Sequence, residues 1–251
     1  MTVAIDIGNT NIVIGIYKNK KWVTGRIETH PKRLPAFYES ELSKLFTEAQ
    51  ISSEAIRQVV LSSVVPTLIP VFKELVVSFF GQEPVVVNAR IFPELHLQID
   101  RPEEIGTDLV ANAIAAVEKY DKNCIIVDFG TALTFTTVRN RHILGVSIAP
   151  GIKTAINALA TGTAQLPEVP LEIPKSAIGK NTVHAIQAGI LYGYTGMVKH
   201  LLKVIQAELN DHFTIVATGG LSKVLHTLKE EFDYIDRNLT LDGLRIIGNL
   251  F

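Results

Sequence analysis

One pattern occurs twice in this sequence, about half the chain length apart. The segments are Val3–Tyr17 (VAIDIGNTNIVIGIY) and Ile125–Val138 (IIVDFGTALTFTTV). Each contains an apolar strand that ends in Asp, a turn with Gly and short polar residues, and a second apolar strand. Asp6 of the first segment aligns with Asp128 of the second. A repeat on this scale is typical of a duplicated fold with two similar lobes.

The turn of each hairpin has the composition of a phosphate-binding site. Gly and short polar residues can direct backbone N–H groups and hydroxyls toward one point, and such a nest binds anions. An Asp at the strand end offers a hard oxygen ligand for Mg²⁺, directly or through water. The same residues are common in ordinary hairpin turns, so either copy alone favours a plain turn. The recurrence instead favours two hairpins that hold the phosphates and metal of one nucleotide.

The composition indicates a soluble globular protein with no polyanionic partner. Lys plus Arg number 24 and Asp plus Glu number 25, so bulk charge gives no sign of nucleic acid binding. The single cysteine, Cys124, excludes an internal disulfide, and we interpret it as a small buried hydrophobe. No apolar run reaches membrane-spanning length, and Asp6 and Asn9 interrupt any signal-peptide core. We therefore expect a cytoplasmic protein with no membrane segment.

Strand and helix signals follow one another in a similar order in both halves. Each half begins with a predicted meander of three strands, and helices and single strands follow it. In the first half, strands are predicted within Val3–Tyr17 and at Trp22–Ile27, Gln58–Ser62 and Pro84–Asn88, and helices at Leu34–Gln50, Pro66–Phe80 and Glu103–Tyr120. In the second half, strands are predicted at Cys124–Gly130, Thr131–Val138, His142–Ile148 and Phe213–Thr218, and helices from Pro150 to about Thr161, at Thr182–Leu209 and at Ser222–Phe232.

This order predicts an α/β fold with two ribonuclease-H-like lobes, each a mixed sheet with flanking helices, as in the actin and sugar-kinase superfamily. We place the lobes at residues 1–119 and 120–251, joined near Lys119–Asn123. In that fold a nucleotide lies in the cleft between the lobes. A dinucleotide-binding fold is disfavoured because G-x-G-x-x-G does not follow the first strand, and a Walker A loop is also missing.

Three further segments have both a functional and a structural interpretation. Gly219-Gly220 precedes a predicted helix, where glycines allow close approach of adenine and ribose, or form a plain turn with Ser222 as N-cap. Gly106–Asp108 suits a helix N-cap, or supplies a carboxylate that accepts a proton from an attacking alcohol. Thr182 is predicted as another N-cap, before a helix with three regularly spaced glycines that suit close packing, including an interface between subunits.

Taken together and in order, these segments resemble the type III pantothenate kinases over nearly the full length of the chain. The matching segments are DIGNTN (Asp6–Asn11), EEIGTD (Glu103–Asp108) with Asn112, DFGTALT (Asp128–Thr134), PGI (Pro150–Ile152), TAQLP (Thr163–Pro167), IGKNT (Ile178–Thr182), TGGLS (Thr218–Ser222) and LTLDGL (Leu239–Leu244).

The resemblance implies ATP-dependent phosphorylation of pantothenate to 4'-phosphopantothenate, the first step of coenzyme A biosynthesis. It also implies Mg²⁺, a monovalent cation (K⁺ or NH₄⁺) and an obligate homodimer with a composite substrate site. The general base would be Asp108, with Asp128 at the monovalent cation and Asp6 at Mg²⁺, directly or through water. The ATP-binding residues would be Asp6, Ile7, Gly8, Asn9, Thr10, Asn11, Ile12, Val13 and Thr131, joined by Gly219 and Gly220. The pantothenate pocket would involve Ile99, Gly106, Thr107, Asp108 and Leu109, with Thr182 from the other subunit.

Two positions depart from the family pattern. Leu109 stands where the family usually has Arg, and Ile99 stands where an aromatic residue is frequent. If the missing Arg binds the pantothenate carboxylate, this chain binds that substrate weakly or uses another; if it supports the fold, an apolar replacement is tolerated. Two other functions therefore stay open. The protein could be a non-catalytic, nucleotide-binding regulatory member of the family, or a kinase of the same fold that acts on another small alcohol.

Overall fold

The structure is a computed structural model, described here for residues 1–220 and 226–251. Among these residues, no helix combines the length and the apolar character needed to cross a membrane. The chain divides into two compact units, each of which is described in turn. The first unit comprises Met1–Lys119, Arg141–Ile143 and Asn238–Phe251, and the second comprises Tyr120–Asn140 and Leu144–Arg237.

The first unit is built on a five-stranded mixed sheet. Strands β1 (Thr2–Ile7), β2 (Asn11–Lys18) and β3 (Lys21–Glu28) form an antiparallel meander. Strand β4 (Gln58–Ser63) is parallel to β1, and β5 (Val85–Val86) is parallel to β4, so the strand order is β3-β2-β1-β4-β5. A further short strand, β6 (Gln98–Ile99), pairs with His142 and Ile143.

Three helices of the first unit form within the predicted ranges, although the third begins at Thr107 and not at the predicted Glu103. They are α1 (Pro35–Glu48), α2 (Leu68–Phe80) and α3 (Thr107–Lys119). Gly81 ends α2 in the predicted left-handed conformation, with φ +66° and its N–H bonded to the carbonyl of Val77. The predicted start of α2 at Pro66 was wrong, because Val65 and Pro66 accept tight i+3 bonds in a turn that precedes the helix.

Apolar residues at every second position of β1 decide which face of the sheet forms the core. Val3, Ile5 and Ile7 are fully buried in a cluster that includes Tyr38 of α1 and Phe72 of α2. Successive side chains of a strand point to opposite faces of the sheet. Asp6 therefore points away from this cluster.

The second unit repeats the strand order of the first. Its strands are β7 (Asn123–Phe129), β8 (Ala132–Arg139), β9 (His142–Pro150, of which the first two residues group with the first unit), β10 (Thr214–Thr218) and β11 (Tyr234–Ile235). They lie in the order β9-β8-β7-β10-β11, with β10 parallel to β7 and β11 parallel to β10. The predicted meander and the predicted strand at Phe213–Thr218 are confirmed, whereas the short strand β11 was not predicted from the sequence.

Two helices, α4 (Ile152–Gly162) and α5 (Thr182–Leu209), contribute side chains to the core of the second unit. The N-cap of α5 is Asn181, whose side chain accepts from the His184 N–H at 2.9 Å, so the prediction of Thr182 as N-cap was wrong by one residue. Of the predicted helix Ser222–Phe232, residues 221–225 lie outside the described part of the chain. The remainder contains a 3₁₀ helix at His226–Glu231.

The last helix, α6 (Leu239–Gly248), belongs to the first unit, although the sequence placed residues 120–251 together. It packs against α3 at Gly243, where a Cβ would overlap the carbonyl group of Ala111. Thr240 also donates to the Asn112 side chain at 2.8 Å. The predicted lobes therefore differ from the observed units in these C-terminal residues, because the chain returns to α3 after completing the second sheet.

Cys124 is fully buried at the start of β7, as the sequence predicts for a small hydrophobe. Burial raises the pKa of its thiol to about 12. A thiolate, the nucleophilic form, is therefore strongly disfavoured at neutral pH.

Candidate active site

The turn between β1 and β2 is held by hydrogen bonds to its carbonyl groups. Gly8 N–H donates to the Asn11 carbonyl at 3.0 Å. Thr29, which follows β3, binds the turn twice: its hydroxyl donates to the Gly8 carbonyl at 2.8 Å and its N–H donates to the Thr10 carbonyl at 2.9 Å. These bonds fix the backbone of the turn, which a preorganised anion site requires. Thr29 could not be identified from the sequence, because its two partners lie far from it along the chain.

The residues of this hairpin differ in what they can offer a ligand. The side chains of Ile7 and Ile12 are fully buried in the core of the first unit, so only their backbone groups could contact a nucleotide. Asn9 and Thr10 are exposed at the tip of the turn. The remaining predicted ATP-binding residues of the hairpin, which are Asp6, Gly8, Asn11 and Val13, are partly exposed.

Two hydroxyl groups connect Asp6 to the first turn of α3. Ser62 of β4 lies directly beside Asp6 in the parallel register, and its Oγ donates to Asp6 Oδ1 at 3.1 Å. The same Oγ lies 2.9 Å from the Thr107 hydroxyl. Ser62 is completely buried. The acid of the first hairpin and the residue before Asp108 are therefore linked through one buried serine, which sequence reasoning did not single out.

Asp108 occupies the second position of α3, inside the first turn of the helix. Gly106 precedes the helix and accepts from the Val110 N–H at 3.2 Å. The Asp108 carboxylate accepts from the Leu109 N–H at 2.9 Å. Burial raises the pKa of Asp108 above its usual range, and hydrogen bonds from the backbone N–H groups of Leu109 and Asp108 partly offset that rise. A carboxylate with a raised pKa is a stronger base, which suits proton abstraction.

Gly106 provides the space that the Asp108 carboxylate occupies, since a Cβ at residue 106 would overlap Asp108 Oδ1. We expect Gly106→Ala to rotate the carboxylate away and to lower kcat by about tenfold or more, because small displacements of catalytic groups have large effects on rate. Steady-state kinetics measure the loss, and thermal unfolding measures the change in stability. Gly145→Ala is the matched control, since a Cβ there meets no atom of the described residues within 4 Å. Unchanged kinetics in Gly106→Ala would contradict this role.

The two positions that depart from the family pattern are both at least partly buried. Leu109 is only 9% exposed, so the position after Asp108 is a packing position here and offers no charge. Ile99 is partly buried in β6, where it pairs with Ile143.

In the second unit, Asp128 is the penultimate residue of β7, and its carboxylate lies against Gly219 in the turn that follows β10. Gly219 has φ +91°, and a Cβ there would lie 2.6 Å from Asp128 Oδ1 and 2.7 Å from the backbone of Phe129. Only glycine satisfies both the conformation and the space. Gly220, the next residue, is exposed.

Thr131 lies at the tip of the second hairpin, which is anchored to the start of α4. The Thr131 carbonyl accepts from the Gly151 N–H at 2.9 Å and from the Thr154 hydroxyl at 2.7 Å. The Thr131 side chain is exposed. The PGI segment around Gly151 thus supports the hairpin, a function that the sequence motif alone did not reveal.

Two threonines flank Asp128 on neighbouring strands. Thr134 of β8 and Thr218 of β10 are its direct partners in register, so the three side chains share one face of the sheet. Thr134 is 8% exposed, and its hydroxyl has no hydrogen-bond partner within the described part of the chain. A buried hydroxyl without a partner beside a carboxylate fits a bound cation, which would accept both oxygens as ligands.

Thr182 begins α5 and lines a cavity of about 610 Å³ on the second unit. The cavity wall is apolar on the side of Leu159, Leu166 and Ile190 and polar at Lys180, Asn181 and Thr182.

Of the predicted site residues, the structure brings together Asp6 and Gly106–Leu109 in the first unit, through Ser62. In the second unit it brings together Asp128 and Gly219.

Comparisons with known proteins identify the family of this chain. The sequence profile of the family described as type III pantothenate kinase matches residues 2–204. A type III pantothenate kinase from Geobacter sulfurreducens is 40% identical over 249 residues, which cover 98% of each chain.

Solved structures support the fold at much lower identity. A conserved Baf family protein from Campylobacter jejuni is 18% identical, with a TM-score of 0.58 over 98% of this chain and 96% of that one. MreB 5 of Spiroplasma citri, solved with AMPPNP, is 9% identical, with a TM-score of 0.55 over 99% and 96% of the two chains. The neighbours are proteins of the actin and sugar-kinase fold, which confirms the predicted fold class. The profile match over residues 2–204 and the 40% identity to the Geobacter sulfurreducens enzyme show that the chain belongs to the type III pantothenate kinase family.

Proposed function

We propose that this protein transfers the γ-phosphoryl group of ATP to the terminal hydroxyl of pantothenate, giving 4'-phosphopantothenate for coenzyme A biosynthesis in the cytoplasm. The name of the 40% identical relative supports the reaction. The observation that carries the proposal for this chain is the Asp108 carboxylate. It has a raised pKa and lies in a helix turn that hydrogen bonds connect to Asp6 of the predicted phosphate hairpin.

In the proposed mechanism, Asp108 accepts the proton of the pantothenate hydroxyl as that oxygen attacks the γ-phosphorus. A positioned carboxylate base contributes about 10²–10⁴-fold in rate. The backbone N–H groups of the hairpin Asp6–Val13 hold the phosphates for in-line transfer, and Thr131, Gly219 and Gly220 also contact ATP. Asp6 would hold Mg²⁺ through its carboxylate oxygens, directly or through water, and the bound ion would offset charge on the phosphates.

We place the monovalent cation, K⁺ or NH₄⁺, at Asp128. The support is the row of oxygen-bearing side chains on one face of the sheet, in which the buried Thr134 hydroxyl has no partner among the described residues. Backbone and side-chain oxygens are the ligands that such cations take in proteins. The cation would neutralise the Asp128 carboxylate next to Gly219.

The proposed homodimer uses the exposed face of α5. Gly189, Gly193 and Gly196 lie on one side of this helix, and a Cβ on each would meet no atom of the described residues within 4 Å. Tyr192 is also exposed on the helix, and Ile178, just before it, is 78% exposed. Small residues flanked by exposed apolar side chains suit close contact with a second copy. In that dimer, Thr182 would complete the pantothenate site of the partner.

We expect Gly193→Leu to convert the dimer to a monomer, because the larger side chain blocks close approach of a second helix. Sedimentation velocity measures the mass, and the kinase assay should show at least a tenfold lower kcat/KM for pantothenate if Thr182 acts across the interface. Gly162→Ala serves as the control, since its surroundings in α4 are equally open. A monomeric wild type, or a monomeric variant with full activity, would contradict the composite site.

The activity is tested by ADP release from ATP in the presence of pantothenate, with and without K⁺. We expect turnover that requires both pantothenate and the cation. Turnover only with another small alcohol would overturn the proposed substrate. Binding of ATP without turnover for any acceptor would indicate a regulatory protein instead.

A further inference from the structure

We propose that Ser62 is a positioning residue that couples the phosphate hairpin to the first turn of α3. Through it, nucleotide bound at Asp6 orders the helix turn that carries Asp108. This inference rests on the proposed function for its kinetic consequence, but the coupling itself is a property of the first unit and can be measured without turnover.

The acceptor at one end gives the hydrogen-bond chain a direction. The Asp6 carboxylate accepts, so the Ser62 hydroxyl donates its single proton to Asp6 Oδ1 at 3.1 Å. The Ser62 oxygen is then an acceptor for the Thr107 hydroxyl at 2.9 Å. The alternative acceptor for Thr107, the Ser63 carbonyl, lies at 3.5 Å and makes a poorer bond. The chain therefore runs from Thr107 through Ser62 to Asp6.

Burial of Ser62 strengthens the two hydrogen bonds that connect Thr107 to Asp6. Ser62 is 0% exposed, so water cannot replace its hydroxyl in either bond. Buried hydrogen bonds in series also polarise one another, which strengthens each of them. A change of position or charge at Asp6, as when Mg²⁺ and phosphate bind, is therefore transmitted to Thr107. Thr107 is adjacent to Asp108 in the same helical turn.

The proposed coupling role of Ser62 can be distinguished from a purely structural role, in which loss of the hydroxyl would lower stability. Without the Ser62 hydroxyl, Thr107 can still donate to the Ser63 carbonyl, so the fold has a substitute bond. Stability should then change little, whereas the connection to Asp6 is lost. Function and stability can thus be separated in Ser62→Ala.

The neighbouring serine provides a matched control. Ser63 lies next to Ser62 on β4, but within the described residues its hydroxyl bonds to Val65 alone, donating to the Val65 carbonyl and accepting from the Val65 N–H, both at 3.0 Å. Ser63→Ala removes the same atom from the same strand without touching the chain between Thr107 and Asp6. It should therefore preserve the coupling.

The first experiment is amide hydrogen exchange at Leu109 and Val110 with and without AMPPNP and Mg²⁺. In the wild type and in Ser63→Ala, we expect nucleotide to slow exchange of these amides by about tenfold, because the turn opens less often when it is ordered. In Ser62→Ala, we expect less than about twofold slowing at saturating nucleotide. Equal slowing in Ser62→Ala and the wild type would overturn the proposal.

The second experiment is kinetic. Ser62→Ala should lower kcat by about 10–100-fold, with the affinity for AMPPNP within about threefold of wild type, because a mispositioned base slows the chemical step. Thr107→Val breaks the same chain, so the double variant should lose no more than the more impaired single variant. Losses that multiply in the double variant would show two independent effects and contradict the coupling. If wild type shows no pantothenate kinase activity, the proposed function fails, and the exchange experiment alone decides the coupling.

Discussion

Asp108→Asn is expected to reduce kcat by about 10²–10⁴-fold while the affinity for ATP stays within about threefold of wild type. The amide has nearly the same shape as the carboxylate but cannot accept the proton from the attacking hydroxyl. Its oxygen can still accept from the Leu109 N–H, so the turn should keep its structure. Steady-state kinetics and equilibrium binding of AMPPNP measure the two effects separately.

Thermal stability serves as the control for Asp108→Asn. Burial of Asp108 raises its pKa, so the carboxylate in the folded protein is less stable than in the unfolded chain at neutral pH. Removing the charge should therefore leave thermal stability unchanged or slightly increased at pH 7. Near wild-type turnover in Asp108→Asn would remove the carboxylate from the role of general base.

Gly243→Ala should have the largest effect on stability. The Cβ would overlap the carbonyl group of Ala111 in α3, and neither backbone can give way without separating the two helices. Overpacking of this kind reduces the free energy of unfolding by about 1–3 kcal/mol or more. Because α3 carries Asp108, activity should fall together with stability. Denaturant unfolding of Gly243→Ala measures the change.

Gly162→Ala provides the comparison for Gly243→Ala. It also adds one methyl group at a glycine of a helix, but in open surroundings. Its free energy of unfolding should stay within about 0.5 kcal/mol of wild type. Equal stability of the two variants would show that the contact between α6 and α3 is looser than the structure indicates.

Features that depend on neighbouring residues could be predicted from the sequence. The two hairpins, for example, were visible because an Asp, a Gly and short polar residues between apolar strands specify a turn locally. Gly81 ends α2 as predicted, because a left-handed C-cap needs only the helix before it. The three-strand meander at the start of each half was also predicted, because its strands follow one another closely along the chain.

Features that depend on distant residues could not be predicted in the same way. The return of α6 to α3 requires Gly243 to meet Ala111, more than a hundred positions away, and the LTLDGL motif alone does not identify that partner. Ser62 and Thr29 likewise acquire their roles only from the register of β4 and β1 and from the end of β3. Short polar residues in strands and directly after them are common, so the sequence did not distinguish Ser62 and Thr29 from other serines and threonines.

The replacement of the family's usual Arg by Leu109 is also clearer in three dimensions. Leu109 is buried at the first turn of α3, so an apolar residue is compatible with its surroundings. If the family's Arg binds the substrate carboxylate, this protein binds that carboxylate through other groups or less tightly; if that Arg supports the fold, Leu109 is a tolerated replacement. The affinity for pantothenate reports directly on that difference.

The most direct measurement is to incubate the protein with pantothenate, Mg²⁺, K⁺ and ATP labelled in the γ-phosphoryl group, and to follow the label into the product. The proposed reaction predicts labelled 4'-phosphopantothenate from the wild type and almost none from Asp108→Asn. Label that stays in ATP, or that appears only as free phosphate, would contradict the assignment of this protein as a pantothenate kinase.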